Sequence, residues 1–159
     1  MLTPIVKRCA GLDVHKMGVM ATVVLEQEDG SLREETRQFG TFRKHRRQMV
    51  RWLDGLGVEL AVMESTGIFW KSIFACLEEA GIATYVVNAR HVKKVPGRKT
   101  DVSDSEWLAT LGRLGLLKPS FIPPKDLREL RLITRQRIKL RRMLAAETNR
   151  LHKVLDDAG

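Results

Sequence analysis

Residues 7–25 read KRCAGLDVHKMGVMATVVL, and the pairing of this stretch decides the fold. Lys7 to Asp13 and Gly18 to Leu25 are apolar runs of strand length, and the short His15-Lys16-Met17 segment between them allows only a turn, so an antiparallel pair is expected. A third strand is expected over Thr36 to Phe42, beyond the turn signal Glu28-Asp29-Gly30-Ser31, which completes a meander. Further along, the hydrophobic period changes. Met49, Trp52, Leu53 and Leu56 recur at i, i+3, i+4 and i+7, predicting a helix over Arg43 to Leu56 that Gly57 ends. Glu59 to Met63 reads as a strand, Phe69 to Ala80 as a helix closed by Gly81, and Ile82 to Val87 as a β-branched strand. A last helix is expected over Asp101 to Leu114, with Trp107, Leu108, Leu111 and Leu114 on one face. The order β-β-β-α-β-α-β-α predicts an α/β domain. Its sheet is mixed and flanked by helices, because strands separated by helices pair in parallel through crossover connections.

Composition shifts at Lys118-Pro119-Ser120-Phe121-Ile122-Pro123-Pro124, where three prolines remove backbone donors and hold the chain extended. This places a boundary between a domain over 1–118 and a second segment over 119–159. In that segment Leu127, Leu130, Ile133, Leu140, Leu144, Leu151 and Leu155 recur at helical spacing with no Gly or Pro before Gly159, predicting one long helix. Such a stripe requires a partner, most simply the same helix of a second chain in a coiled-coil homodimer, although Arg137 interrupts the heptad. The sequence stops directly after this helix, and a fragment of a longer protein is expected.

The chain has 159 residues, 43% of them hydrophobic and 30% charged, which excludes disordered and collagen-like classes. Lys and Arg number 28 against 19 Asp and Glu, a net charge of +9 that favours a polyanionic partner. Residues 119–159 alone hold 10 basic and 5 acidic side chains. No run approaches the roughly 18 apolar residues of a spanning helix, and the N-terminus lacks a secretion signal, so a cytoplasmic protein without membrane partners is expected. Cys9 and Cys76 read as reduced, buried thiols, and the four scattered His residues lack zinc-ligand spacing.

Four acids stand at the ends of apolar elements: Asp13, Glu64, Asp101 and Asp104. If the strands ending at Asp13 and Glu64 are neighbours, both carboxylates leave the sheet at one edge, and Asp101 and Asp104, three apart on a helix, project on one face. Four converging carboxylates repel one another unless a cation joins them, and hard oxygen ligands suit Mg²⁺ or Mn²⁺. A plainer account stands beside this one. Asp101 and Asp104, or Ser103 and Glu106, also fit an N-cap with its third-position partner, because acids at a helix start are favoured by the dipole.

Gly11-Leu12-Asp13-Val14-His15-Lys16, Met63-Glu64-Ser65-Thr66-Gly67 and Lys99-Thr100-Asp101-Val102-Ser103-Asp104-Ser105-Glu106-Trp107-Leu108-Ala109 together resemble the three motifs of the DEDD transposases of insertion-sequence family 110, relatives of the pilin-inversion recombinase Piv. Asn88-Ala89-Arg90-His91-Val92-Lys93 is similar too, so the resemblance spans essentially the whole chain in the right order. It implies a RuvC-like, RNase H-type fold in which Asp13, Glu64, Asp101 and Asp104 are catalytic and bind divalent metal. It further implies a coiled coil, a later domain bearing a serine nucleophile, DNA as substrate and a structured bridge RNA as guide.

Basic residues fit such partners. Lys16 follows Asp13 in the turn, and Arg90, Lys93, Lys94, Arg98 and Lys99 form an acid-free loop running into Asp101, placed to hold a phosphate backbone or simply to be solvated. Arg131, Arg135, Arg141 and Arg142 on the long helix exceed its acids and point to DNA or RNA. Arg43 to Arg51 reads as a solvated helix face, and Trp52, Trp70 and Trp107 as core. Two functions compete: metal-dependent phosphoryl transfer on DNA, and a non-catalytic nucleic-acid-binding and dimerisation module whose acids are structural. A sugar-kinase-like ATPase is disfavoured, because Val-His-Lys-Met follows Asp13 where such a site needs glycines.

Overall fold

A computed structural model describes residues 3–97 and 101–159. Two compact units result, Met1–Ser120 and Phe121–Gly159. The first is built from β1 (Arg8–Val14), β2 (Val19–Glu26), β3 (Leu32–Phe39), α1 (Arg43–Gly55), β4 (Leu60–Glu64), α2 (Trp70–Glu79), β5 (Ala83–Val87), α3 (Ala89–Lys94) and α4 (Asp104–Arg113); the second is a single helix, α5 (Lys125–Ala158).

The sheet has the order β3-β2-β1-β4-β5. β1 to β3 form the antiparallel meander, while β4 joins β1 and β5 joins β4 in parallel. β1 is therefore central, which is why Cys9, Ala10 and Leu12 are fully buried. Alternation gives the sheet two apolar faces. Cys9, Leu60 and Val62 pack with Leu108 and Leu111 of α4 and Val92 of α3. Ala10, Leu12, Ala61 and Met63, of opposite parity, are equally buried, and α1 and α2 contribute Met49, Leu53, Ile73 and Leu77 to the core.

Three expectations are corrected. β3 starts and ends several residues earlier than Thr36 to Phe42, because it pairs with the whole of β2; it is an edge strand whose mostly exposed, charged residues hide the alternation. The basic stretch from Arg90, expected as a loop, lies first in a short helix, α3, capped by the Asn88 side chain, which accepts from the Arg90 amide at 2.9 Å. α4 begins at Asp104 with Ser103 as its cap, so Asp101 lies in the turn before it. At the proline-rich junction, Pro119 still bridges to Val87, and the Ser120 amide donates to the Val86 carbonyl at 2.8 Å. The long helix α5 forms as expected and has no buried residue.

Candidate acidic site

Leu12 lies opposite Met63 in the parallel pair, so the next residue of each strand, Asp13 and Glu64, emerges at the same edge. Asp13 shares parity with Cys9 and Gly11, and Glu64 with Leu60 and Val62, so both carboxylates project on the face that α4 covers.

α4 is seated by small residues. A Cβ on Gly11 would lie 1.8 Å from the Ser105 carbonyl oxygen and 2.5 Å from the Ala109 nitrogen, and one on Gly112 would lie 2.5 Å from Val62 Cγ2. Backbone-to-backbone packing of this kind needs glycine. A hydroxyl chain adds direction: buried Ser105 Oγ is 2.8 Å from Thr22 Oγ1, which is 2.9 Å from Thr36 Oγ1. Ser103 Oγ accepts from the Glu106 amide at 3.3 Å and caps the first turn. The start of α4, and with it Asp104, is thereby fixed beside the ends of β1 and β4.

The outcome is one open cleft of about 490 Å³ lined by Asp13, Glu64 and Asp104, together with His15, Thr66 and Lys93. Asp13 is held in place: its Oδ2 lies 2.7 Å from His15 Nε2. Asp101 is exposed and does not line the cleft, so the shared helical face expected for Asp101 and Asp104 does not form. Among the described residues no three His, Cys, Asp or Glu side chains stand close enough to hold a metal ion together. The donor set nevertheless fits a hard divalent cation in kind, being three carboxylates on one wall-to-wall cleft.

The basic candidates divide. Lys93 lines the cleft, Arg90 and Lys94 are exposed on α3, and Lys16 is exposed in the β1–β2 turn. Arg98 and Lys99 lie outside the described residues. Arg131, Arg135, Arg141 and Arg142 are exposed on α5, in the second unit.

Sequence reasoning missed the contact of His15 with Asp13 and the buried Thr22–Ser105 pair. For the latter a signal existed, since Thr22 is a hydroxyl inside the apolar run Met20-Ala21-Thr22-Val23-Val24. Burial pushes the Cys9 thiol up to about 12, against the opposing pull of Arg113, so Cys9 is packing and not a nucleophile. Glu34 on β3 is raised by burial and by the charge of Glu106.

Comparison with known proteins agrees with this architecture. The family model of the insertion-sequence 110 DEDD transposases, described as "Transposase", matches residues 10–159. Among solved structures, Thermus thermophilus RuvC aligns with a TM-score of 0.50 and 16% identity over 71% of this chain and 99% of RuvC. T. thermophilus RuvC in complex with Holliday junction substrate aligns with a TM-score of 0.51 and 15% identity over the same shares. No curated protein matches the chain. The mixed sheet with its flanking helices is thus the RuvC-like, RNase H-type arrangement that the motifs implied, and the long C-terminal helix forms a separate unit. On the match over residues 10–159, the chain belongs to the DEDD transposase family of insertion sequence 110.

Proposed function

We propose that the first unit is the phosphoryl-transfer domain of a DNA transposase, with Asp13, Glu64 and Asp104 as ligands of Mg²⁺ or Mn²⁺. The observation that carries this reading is that three acids from three separate elements, the ends of β1 and β4 and the start of α4, line one cleft. No single structural role accounts for all three: Asp104 stands in the first turn of α4, which Ser103 caps, while Asp13 and Glu64 stand at the ends of separate strands. Asp101 would join as a fourth ligand only if the turn before α4 draws in. When bound, a divalent ion supplies charge neutralisation and water activation for in-line displacement at a phosphodiester. The chain's own part is to aim carboxylates from a rigid β edge, to orient Asp13 through His15, and to present Lys93 to a phosphate oxygen.

DNA as substrate is supported by family membership, by the net charge of +9, and by the RuvC neighbour that is bound to a Holliday junction. A structured guide RNA and a homodimer belong to the same reading, supported by the basic α5, in which no residue is buried, and by its leucine stripe. The test is thermal melting with and without Mn²⁺, because a ligand binding only the folded state stabilises it by mass action. The melting temperature should rise with Mn²⁺, and Asp13→Asn with Asp104→Asn together should abolish the rise. An unchanged rise in the double variant would refute the metal site and leave the non-catalytic binding module.

A further inference from the structure

Among the described residues of the first unit, six large hydrophobic side chains are exposed: Ile5, Met17, Leu32, Phe42, Ile68 and Phe69. Their distribution is uneven. The register places the end of β1, the start of β2 and the ends of β3, β4 and β5 at one sheet edge, since Val14 pairs with Val19, Val19 with Phe39, and Glu64 with Val87. Met17, Phe42, Ile68 and Phe69 all sit on loops that leave this edge, the one that carries Asp13 and Glu64; Ile5 and Leu32 belong to the other.

The loops that carry Phe42 and Phe69 are also joined through Arg46 and Ser72. Arg46 Nη1 donates to the Thr41 carbonyl at 2.9 Å and reaches Ser72 Oγ at 3.5 Å, and Ser72 Oγ donates to the Phe69 carbonyl at 3.4 Å. Each phenylalanine occupies the N-cap of its helix, Phe42 of α1 and Phe69 of α2, and neither helix has a side-chain cap bond. Phe is a poor cap, and with 72% of its surface exposed Phe42 gains little from burial. Capping thus argues against both residues, and at Phe42 burial does not offset it. Charge shows the same conflict: Arg43, Lys44 and Arg47 are exposed in the first turns of α1, against the helix dipole, with no acid in the first turn of α1 or α2. An anionic partner with flat apolar faces relieves both conflicts at once.

We propose that Phe42, Ile68 and Phe69 form a stacking ridge for unpaired bases of a DNA strand entering the acidic cleft, with Arg43, Lys44 and Arg47 holding the adjoining phosphates. The inference deepens the DNA reading above and depends on it. Bases of any identity present a π face, so the ridge selects unpaired strand and not sequence. Arg43 to Arg51 is then a phosphate track and not merely a solvated helix face.

The experiment uses the 159-residue chain and fluorescence anisotropy on two DNA probes of equal length, a plain duplex and a duplex carrying an unpaired tract. Phe42→Ala with Phe69→Ala should weaken binding of the unpaired-tract probe about tenfold or more while changing duplex binding less than about twofold. Leu32→Ala, an exposed apolar residue at the other edge, should change neither. Arg43→Gln with Arg47→Gln should weaken both probes and lower the slope of log affinity against log salt by about 1.5. Equal effects on both DNA probes would overturn the proposal. So would a larger loss for single-stranded RNA of the same sequence, or loss of self-association with DNA binding intact. The Mn²⁺ melting shift should persist in the ridge variant, so failure of the ridge and failure of the metal site are read separately.

Discussion

Gly11 does the most for the site of any residue that carries no chemistry. Its missing Cβ admits the Ser105 carbonyl, and a methyl group there would meet main chain, not a side chain that can swing away. Gly11→Ala should therefore lower stability by about 3 kcal/mol, the upper end of ordinary overpacking, and also blunt the Mn²⁺ melting shift, because α4 and Asp104 must move out together. Urea denaturation checks the first and Mn²⁺ titration the second; a variant as stable as the parent would show that α4 is not seated at Gly11. At this scale the sequence was a good guide to Asp13 and Glu64, since each follows an unbroken apolar run whose parity fixes its face. Asp101 was not legible, because the apolar period of α4 runs on backwards past its true start and only the Ser103 cap stops it. His15 was not legible either, as a contact with a residue two positions away depends on how the turn bends.

Elements with a buried face long enough to show a period were readable, and β3 and α3 were not. β1, β2, β4 and β5 each pack at least part of their length in the core and announce themselves by apolar runs. β3 lies at the edge, and α3 is only six residues long, too short for a period to show. α5 is the instructive exception: its leucine stripe was plain, yet Leu127, Leu130, Ile133, Leu140, Leu144, Leu151 and Leu155 all remain exposed in the single chain. A stripe of that length on a 34-residue helix is the surface that the proposed homodimer would cover. Shortening the chain to Met1–Ser120 should abolish self-association in sedimentation, weaken binding to DNA or structured RNA, and flatten its salt dependence, because α5 and all of its basic residues are removed. A shortened chain with the same affinity and salt slope would mean that α5 does not touch nucleic acid.

At the scale of the molecule, the fold explains why acids 51 and 40 positions apart, Asp13 to Glu64 and Glu64 to Asp104, line one cleft. Parallel crossover from β1 to β4 brings the ends of two strands to one edge, and α4, which comes after β5 and the short α3, packs across the same face. Fold class followed from the order of elements; what the order could not reveal was how far apart the carboxylates stand, which is set by packing at Gly11, Gly112 and Val62. The most direct measurement is therefore a crystal structure of the chain soaked in Mn²⁺, read by anomalous scattering. The account predicts a manganese peak with carboxylate oxygens of Asp13, Glu64 and Asp104 at about 2.1 Å, a distance typical of small octahedral divalent ions. A well-ordered cleft with no peak, or manganese bound elsewhere while these three carboxylates stay apart, would contradict it.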